Sequence, residues 1–215
     1  MRKNNENGLT LVEVLASITI LSIITVGLFS VFPKSYSVIK QSQSKLVAVN
    51  LARGAVHYME KQDYDILNNY LTSLGSGNVA VFDTANACNT SYSSSVSPNT
   101  PFTIFPDTSS CIKIITPSIN NVTYTNYNVQ LFVVPPYYND SHVQAILTHI
   151  HAVHPKTALQ NLPNQLNTMM AKDAANIQQS PAYTPLHVFA YVDTNEQDNT
   201  EGILLEGSIT KDGIR

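Results

Sequence analysis

LTLVEVLASITILSIITVGLFSVF, residues Leu9 to Phe32, contains a single charged side chain, Glu13, in 24 positions. A helix rises 1.5 Å per residue, so roughly 20 such residues cross the hydrocarbon of a bilayer. The stretch is therefore long enough to span, with some tilt. Before it stands a polar leader, Met1 to Gly8, with Arg2 and Lys3, which favour a cytoplasmic N-terminus. Lys34, Lys40 and Lys45 lie on the far side. A cleaved secretory signal fits less well, because its apolar region is shorter and ends in a small-residue cleavage site that is missing here.

Glu13 is the anomaly of the run. A carboxylate in hydrocarbon costs several kcal/mol, less near the interface, and is retained where it has a partner. A cut between Gly8 and Leu9 would create an α-amine at Leu9, a cation at the end of the same helix. In a stack of parallel helices, that amine could neutralise Glu13 of a neighbour. The plain alternative is a carboxylate that snorkels to the interface or is protonated.

Gly8-Leu9-Thr10-Leu11-Val12-Glu13-Val14-Leu15-Ala16-Ser17-Ile18 resembles the cleavage and methylation segment of type IV prepilins and pseudopilins. The resemblance covers roughly residues 6–60. It implies that a prepilin peptidase cuts after Gly8 and methylates the new terminus at Leu9. It also implies that Glu13 pairs with a neighbouring subunit's terminus during assembly. Family members usually carry Phe or Met where this chain has Leu9. The partners implied are the peptidase, other pilins or pseudopilins, a platform membrane protein and an assembly ATPase. The localisation implied is single-pass in the plasma (inner) membrane, N-terminus inside and head outside, then in a filament or at the cell surface.

Past Pro33, the apolar positions Ile39, Leu46, Val49, Val56 and Met59 recur at spacings of 7, 3, 7 and 3, one stripe of a helix. The spacing predicts a helix from about 9 to 60 whose second half buries that stripe against a globular head, with a turn near Asp63 or Gly75. Pro33 removes a backbone donor and is expected to loosen the helix there. The organisation expected is a leader over 1–8, a membrane and assembly half over 9–32, an amphipathic continuation over 33–74 and a β-rich head over 75–215.

In the head, Val79–Phe82 and Ile112–Ile115 read as short strands. Residues 127–133 alternate as a half-buried strand closed by Pro135-Pro136, and 187–192 alternate likewise. Ile203 and Leu205 open a last strand that pairs back across the Asp193–Glu201 loop. Residues 156–178 have helical character interrupted by Pro163. Residues 84–110, rich in Ser, Thr, Asn and Pro, read as an exposed loop. The fold class expected is α+β and pilin-like: a long N-terminal helix packed on an antiparallel sheet of four or five strands. Cys88 and Cys111 bracket most of the 84–110 loop; in an oxidising compartment they form a disulfide, and otherwise they are two buried thiols.

The head offers little chemistry. His149, His151 and His154 stand close in sequence and imidazole binds Zn, Cu or Ni, but no H-E-x-x-H frame is present. Asp193 and Asp198 lie in an oxygen-rich loop that fails the EF-hand pattern at its sixth position. These five are weak metal candidates, and no metal or cofactor is expected. No nucleophile elbow, P-loop or dinucleotide fingerprint occurs, so no enzymatic activity is expected. The net charge is −3 overall, and beyond residue 33 there are 10 basic and 13 acidic residues. No basic cluster is present to neutralise phosphates, so no direct nucleic-acid binding is expected.

The reading is a structural subunit, minor rather than major, of a type II secretion pseudopilus, type IV pilus or competence pilus. The rival is a signal-anchored extracellular binding module that never polymerises.

Overall fold

A computed structural model of the chain describes residues 10–75, 79–83, 91–94, 97–105, 107–119, 122–123, 127–137, 139–153, 161–179, 185–194 and 202–211. The chain divides into two units, Met1–Gln43 and Ser44–Arg215.

α1, Leu11–Met59, runs through 49 residues with Pro33 inside it. Its part in the first unit, from Leu11 to Gln43, is exposed throughout. Its last turn closes with Gln62 N–H donating to Met59 C=O at 3.0 Å and Lys61 N–H to Tyr58 C=O at 3.2 Å. The amphipathic continuation expected over 33–74 is thus divided. Asp63 caps a separate helix, α2, Tyr64–Leu74, by accepting from the Ile66 amide at 3.0 Å. Gly75 ends α2 at φ 90, a backbone conformation that costs glycine little. Both turn signals are real; an aspartate that can satisfy an orphan N–H starts a new helix as readily as it ends an old one.

The second unit corrects the expected stripe. The residues of α1 that are buried are Ala48, Ala52, Ala55, Val56 and Met59. Leu46 remains 64% exposed and Ile39, in the first unit, 54%. The alanines lack bulk, so the helix can lie close against the strands beneath it. At Gly207 a side chain would have no room: a Cβ there would fall 2.2 Å from Val56 Cγ1.

Four strands form one antiparallel sheet in the order β1-β6-β7-β8: β1 is Ala80–Phe82, β6 Tyr127–Val134, β7 Leu186–Thr194 and β8 Ile203–Ile209. β6 and β7 are the central pair, in register from Tyr127 opposite Thr194 to Val134 opposite His187. One face, with Leu131, Val133, Val188 and Ala190, packs in a core with the α1 alanines, Leu67 and Leu71 of α2, and Cys111 and Ile115 of α3, Thr108–Ile115. The other face, with Phe132, Val134, Phe189 and Tyr191, packs in a second core with Val143, Ile146 and Ile150 of α4 and Leu162 and Leu166 of α5. α4 is Asp140–Val153 and α5 Leu162–Gln179.

The sheet is therefore covered on both faces, and β6 is buried at every position from Val129 to Val134 rather than half-buried. Alternation in its sequence misleads because Gln130 is fully buried with the apolar residues.

Three further expectations change. Ile112–Ile115 belongs to α3 rather than a strand. Asp107 accepts from the Ser109 amide at 3.0 Å and bonds the Ser110 hydroxyl, and Cys111 and Ile115, four apart, share the buried side. The 84–110 stretch is not all loop: β2, Ser91–Ser94, pairs antiparallel with β3, Ser97–Thr103, in a separate hairpin. Turn-forming composition there yields to cross-strand pairing. β4, Ser118–Ile119, and β5, Val122–Thr123, form another small pair. Pro163 opens α5 instead of interrupting it, because a residue in the first helical turn has no intrahelical use for its N–H.

Candidate functional site

Gly8 and Leu9, the expected cleavage site, lie outside the described residues. The structure begins at Thr10, and there it assembles a capping box. Glu13 Oε2 accepts from the Thr10 backbone N–H at 3.0 Å and from its hydroxyl at 3.1 Å. The Thr10 hydroxyl lies 3.4 Å from the Glu13 N–H and accepts from it. Thr10 is the N-cap and Glu13 the third helical position, so two donors otherwise orphaned at the helix start are satisfied reciprocally. The acid also stands at the positive end of the helix dipole, where negative charge is favoured.

The rest of the span satisfies itself. Ser17, Ser22 and Thr25 donate their hydroxyls to the carbonyls of Glu13, Ile18 and Leu21 at 2.7 Å each. Thr19 and Ser30 donate to Ala16 and Gly27. No hydroxyl among these is left needing water, which suits a lipid surround. α1 is the one helix among the described residues long and apolar enough to cross a membrane, and none of its apolar window is buried. In this segment only Glu13 carries charge, and it carries it at one end.

Residues 3–29 match the family model of the prokaryotic N-terminal methylation motif. This is the type IV pilin signature. No curated protein and no solved structure matches the chain. The pilin-like motif implies processing by a prepilin peptidase and assembly with other pilins in a membrane machine. It belongs to structural proteins rather than to catalysts. With the apolar helix behind it, the motif speaks for membrane anchoring. The layout is α+β and pilin-like too, with the end of the long N-terminal helix packed in the second unit on a four-stranded antiparallel sheet.

Among the described residues, the weak metal candidates His149, His151 and Asp193 do not form a metal-holding group. His149 and His151 are two apart on α4, which places them on different sides of the helix. His149 Nε2 instead meets Asp83 Oδ2 at 2.8 Å and lies edge-on to Phe132. His151 is exposed, Asp193 is buried at the end of β7, and His154 and Asp198 lie outside the described residues. No group of three His, Cys, Asp or Glu able to hold a metal occurs among the described residues. Cys111 is fully buried in α3, whereas Cys88 lies outside the described residues.

Two other histidines are structural. His142 Nδ1 lies 3.2 Å from the Asn139 N–H at the start of α4, and burial lowers its pKa from the ordinary value of 6.5. His187 Nδ1 lies 3.1 Å from Glu206 Oε1 across β7 and β8.

Sequence reasoning missed the role of Thr10, although Thr-x-x-Glu before an apolar run was there to be read. The His149–Asp83 pair had no sequence signal, since 66 positions separate its members.

Proposed function

We propose that this chain is a structural subunit, a minor one, of a type IV filament-like machine, whether pilus, type II secretion pseudopilus or competence pilus. It is stored in the plasma membrane with the N-terminus inside and the head outside. The peptidase removes the leader after Gly8 and methylates Leu9, and the subunit passes into a helical bundle with other pilins through a platform protein and an assembly ATPase. Leu9 then provides the cation that Glu13 of a neighbouring subunit needs in a low-dielectric bundle, because an unpaired buried charge is costly.

The observation that carries this reading is the single carboxylate held at the mouth of an exposed and otherwise uncharged stretch of α1, residues 11–32. The capping box keeps Glu13 satisfied within one chain, and transfer to a neighbour's amine exchanges neutral donors for a charged one, the stronger partner. Cohesion comes from apolar area, at roughly 25 cal/mol per Å² withdrawn from water. In the head, we infer a Cys88–Cys111 disulfide, supported by the complete burial of Cys111 beside a long polar segment.

N-terminal mass analysis of the membrane-bound protein tests the reading. The expected species begins at Leu9; a retained Met1–Gly8 leader refutes it. Glu13→Ala is expected to leave cleavage intact and to block incorporation, and undiminished incorporation contradicts the pairing role. Non-reducing peptide mapping that recovers free Cys88 and Cys111 refutes the disulfide.

A further inference from the structure

The two edges of the four-stranded sheet are finished differently. β1 is three residues long, and Ala80 and Phe82 are completely buried, so that edge is closed. β8, the opposite edge, runs through seven residues, each matched to β7 without a bulge. In an edge strand every second residue aims its N–H and C=O away from the sheet. No backbone bond joins β8 to anything but β7 among the described residues. Such an edge is usually guarded by shortness, a lysine, a proline or a bulge, and β8 has none of these. Its one charge is turned inward, with Glu206 Oε1 at 3.1 Å from His187 Nδ1 on β7. Ile203 and Leu205 are only half-buried against the first core, which leaves aliphatic surface beside the open row.

That row identifies the class of occupant, because an extended backbone is what matches alternate donors and acceptors at strand spacing. Charge narrows it. The charged side chains described at the strand already have partners: Glu206 has His187, and Lys211 has Asp65 at 2.9 Å. Glu60, whose carboxylate would lie 2.9 Å from a Cβ at Gly207, has His57 at 3.5 Å. An ionic ligand finds no spare charge among these. A second copy fits poorly. Its β1 edge is buried, and two β8 strands paired antiparallel over their full length centre on Glu206 and set carboxylate opposite carboxylate, which is destabilising. We propose that β8 takes an added strand from a different protein chain, an uncharged extended segment with aliphatic residues at alternate positions beside Ile203 and Leu205. The proposal uses the second unit alone and goes beyond the filament-subunit reading, because it gives the head a partner of its own.

The test uses the full-length chain in its host, with a benzophenone side chain at position 208, which is exposed on β8. Peptide mass spectrometry of irradiated membranes is expected to place the adduct in an uncharged segment of another chain with aliphatic residues at alternate positions. A synthetic peptide of that segment, added to the purified full-length protein in detergent, is expected to slow hydrogen exchange at alternate β8 amides by at least about tenfold. The same peptide N-methylated along the edge that meets β8 is expected to lose that protection. Ser208→Lys, which supplies the missing guard, is expected to lose it too, with unchanged circular dichroism. Adducts only between copies of this chain overturn the choice of occupant. No adduct, an adduct in a helical segment, or protection that is absent or survives N-methylation overturns strand addition. Leader removal at Gly8, read in the same samples, reports on the filament reading separately.

Discussion

The two parts of α1 meet their surroundings in opposite ways. From Leu11 to Gln43 every described position is exposed and the large aliphatics project outward; from Ser44 to Met59 the buried positions are alanines, a valine and a methionine, while Leu46 stands in solvent. Hydrophobicity alone would rank these residues the other way, with Ile39 and Leu46 inside and Ala52 indifferent. What decides is the distance between helix and sheet. Ala48, Ala52 and Ala55 are buried in a core shared with the sheet, α2 and α3, and at Gly207 even a Cβ would collide with Val56. The lesson is that an aliphatic stripe on a long helix indicates a partner without saying whether that partner is the chain's own head.

The largest effect expected concerns the exposed part. Gly8→Ala should abolish leader removal, giving an N-terminal mass that retains Met1–Gly8, while the head folds with unchanged circular dichroism. Next come substitutions that crowd the buried part. Ala52→Leu should destabilise the head by about 1–3 kcal/mol in denaturant unfolding, the usual cost of overpacking a filled core. Leu46→Ala, six residues earlier, should fall within about 0.5 kcal/mol in the unassembled protein, as surface changes do. If the two costs were equal, the contrast drawn between the faces would fail. Gly207→Ala should cost about 1–3 kcal/mol, because its methyl group would collide with Val56 and approach Glu60.

A smaller effect is expected on the other face of the sheet. Gln130 is completely buried, and neither its carboxamide oxygen nor its nitrogen has a partner among the described residues. Gln130→Leu should therefore stabilise the head by about 1 kcal/mol, since a buried polar group without a partner is costly to desolvate; a loss of stability would show that the amide is engaged. The smallest effect is one of pH. Burial lowers the His142 pKa below its ordinary value of 6.5. The unfolded chain then binds the proton more tightly than the native one, so this contribution is present above about pH 6.5 and declines as pH falls below it. His142→Asn should flatten the stability profile across that range and leave the profile above it parallel to the parent's.

Much of the site is legible in the residues themselves. Glu13, alone in an apolar run behind Gly8, marks the methylation-motif segment, and Thr10 three positions earlier carries the cap in plain view. The strands over 80–82, 127–134, 186–194 and 203–209 coincide with β-branched and aromatic runs, so they are legible as well. Less legible is α3, where Ile-Lys-Ile-Ile is β-prone in isolation and is drawn into a helix by the Asp107 cap and by burial of Cys111 with Ile115. α5 falls within the 156–178 segment of helical character, whereas α4 is hidden, because a helix lying across a sheet leaves a trace in the strands only as extra burial. His149 and Asp83 meet for the same reason, brought together by α4.

Sequence by itself determined the local matters: a helix able to span a bilayer, its single acid and cap, and the strands of an antiparallel sheet. These depend on contacts within a turn or two, or on the period of apolar residues along one segment. Tertiary structure alone decided which side of α1 faces the sheet, that alanines rather than leucines fill that contact, and that both faces of the sheet are covered. Those outcomes depend on the space between elements distant in the chain, and no periodicity within a single segment records how wide that space is.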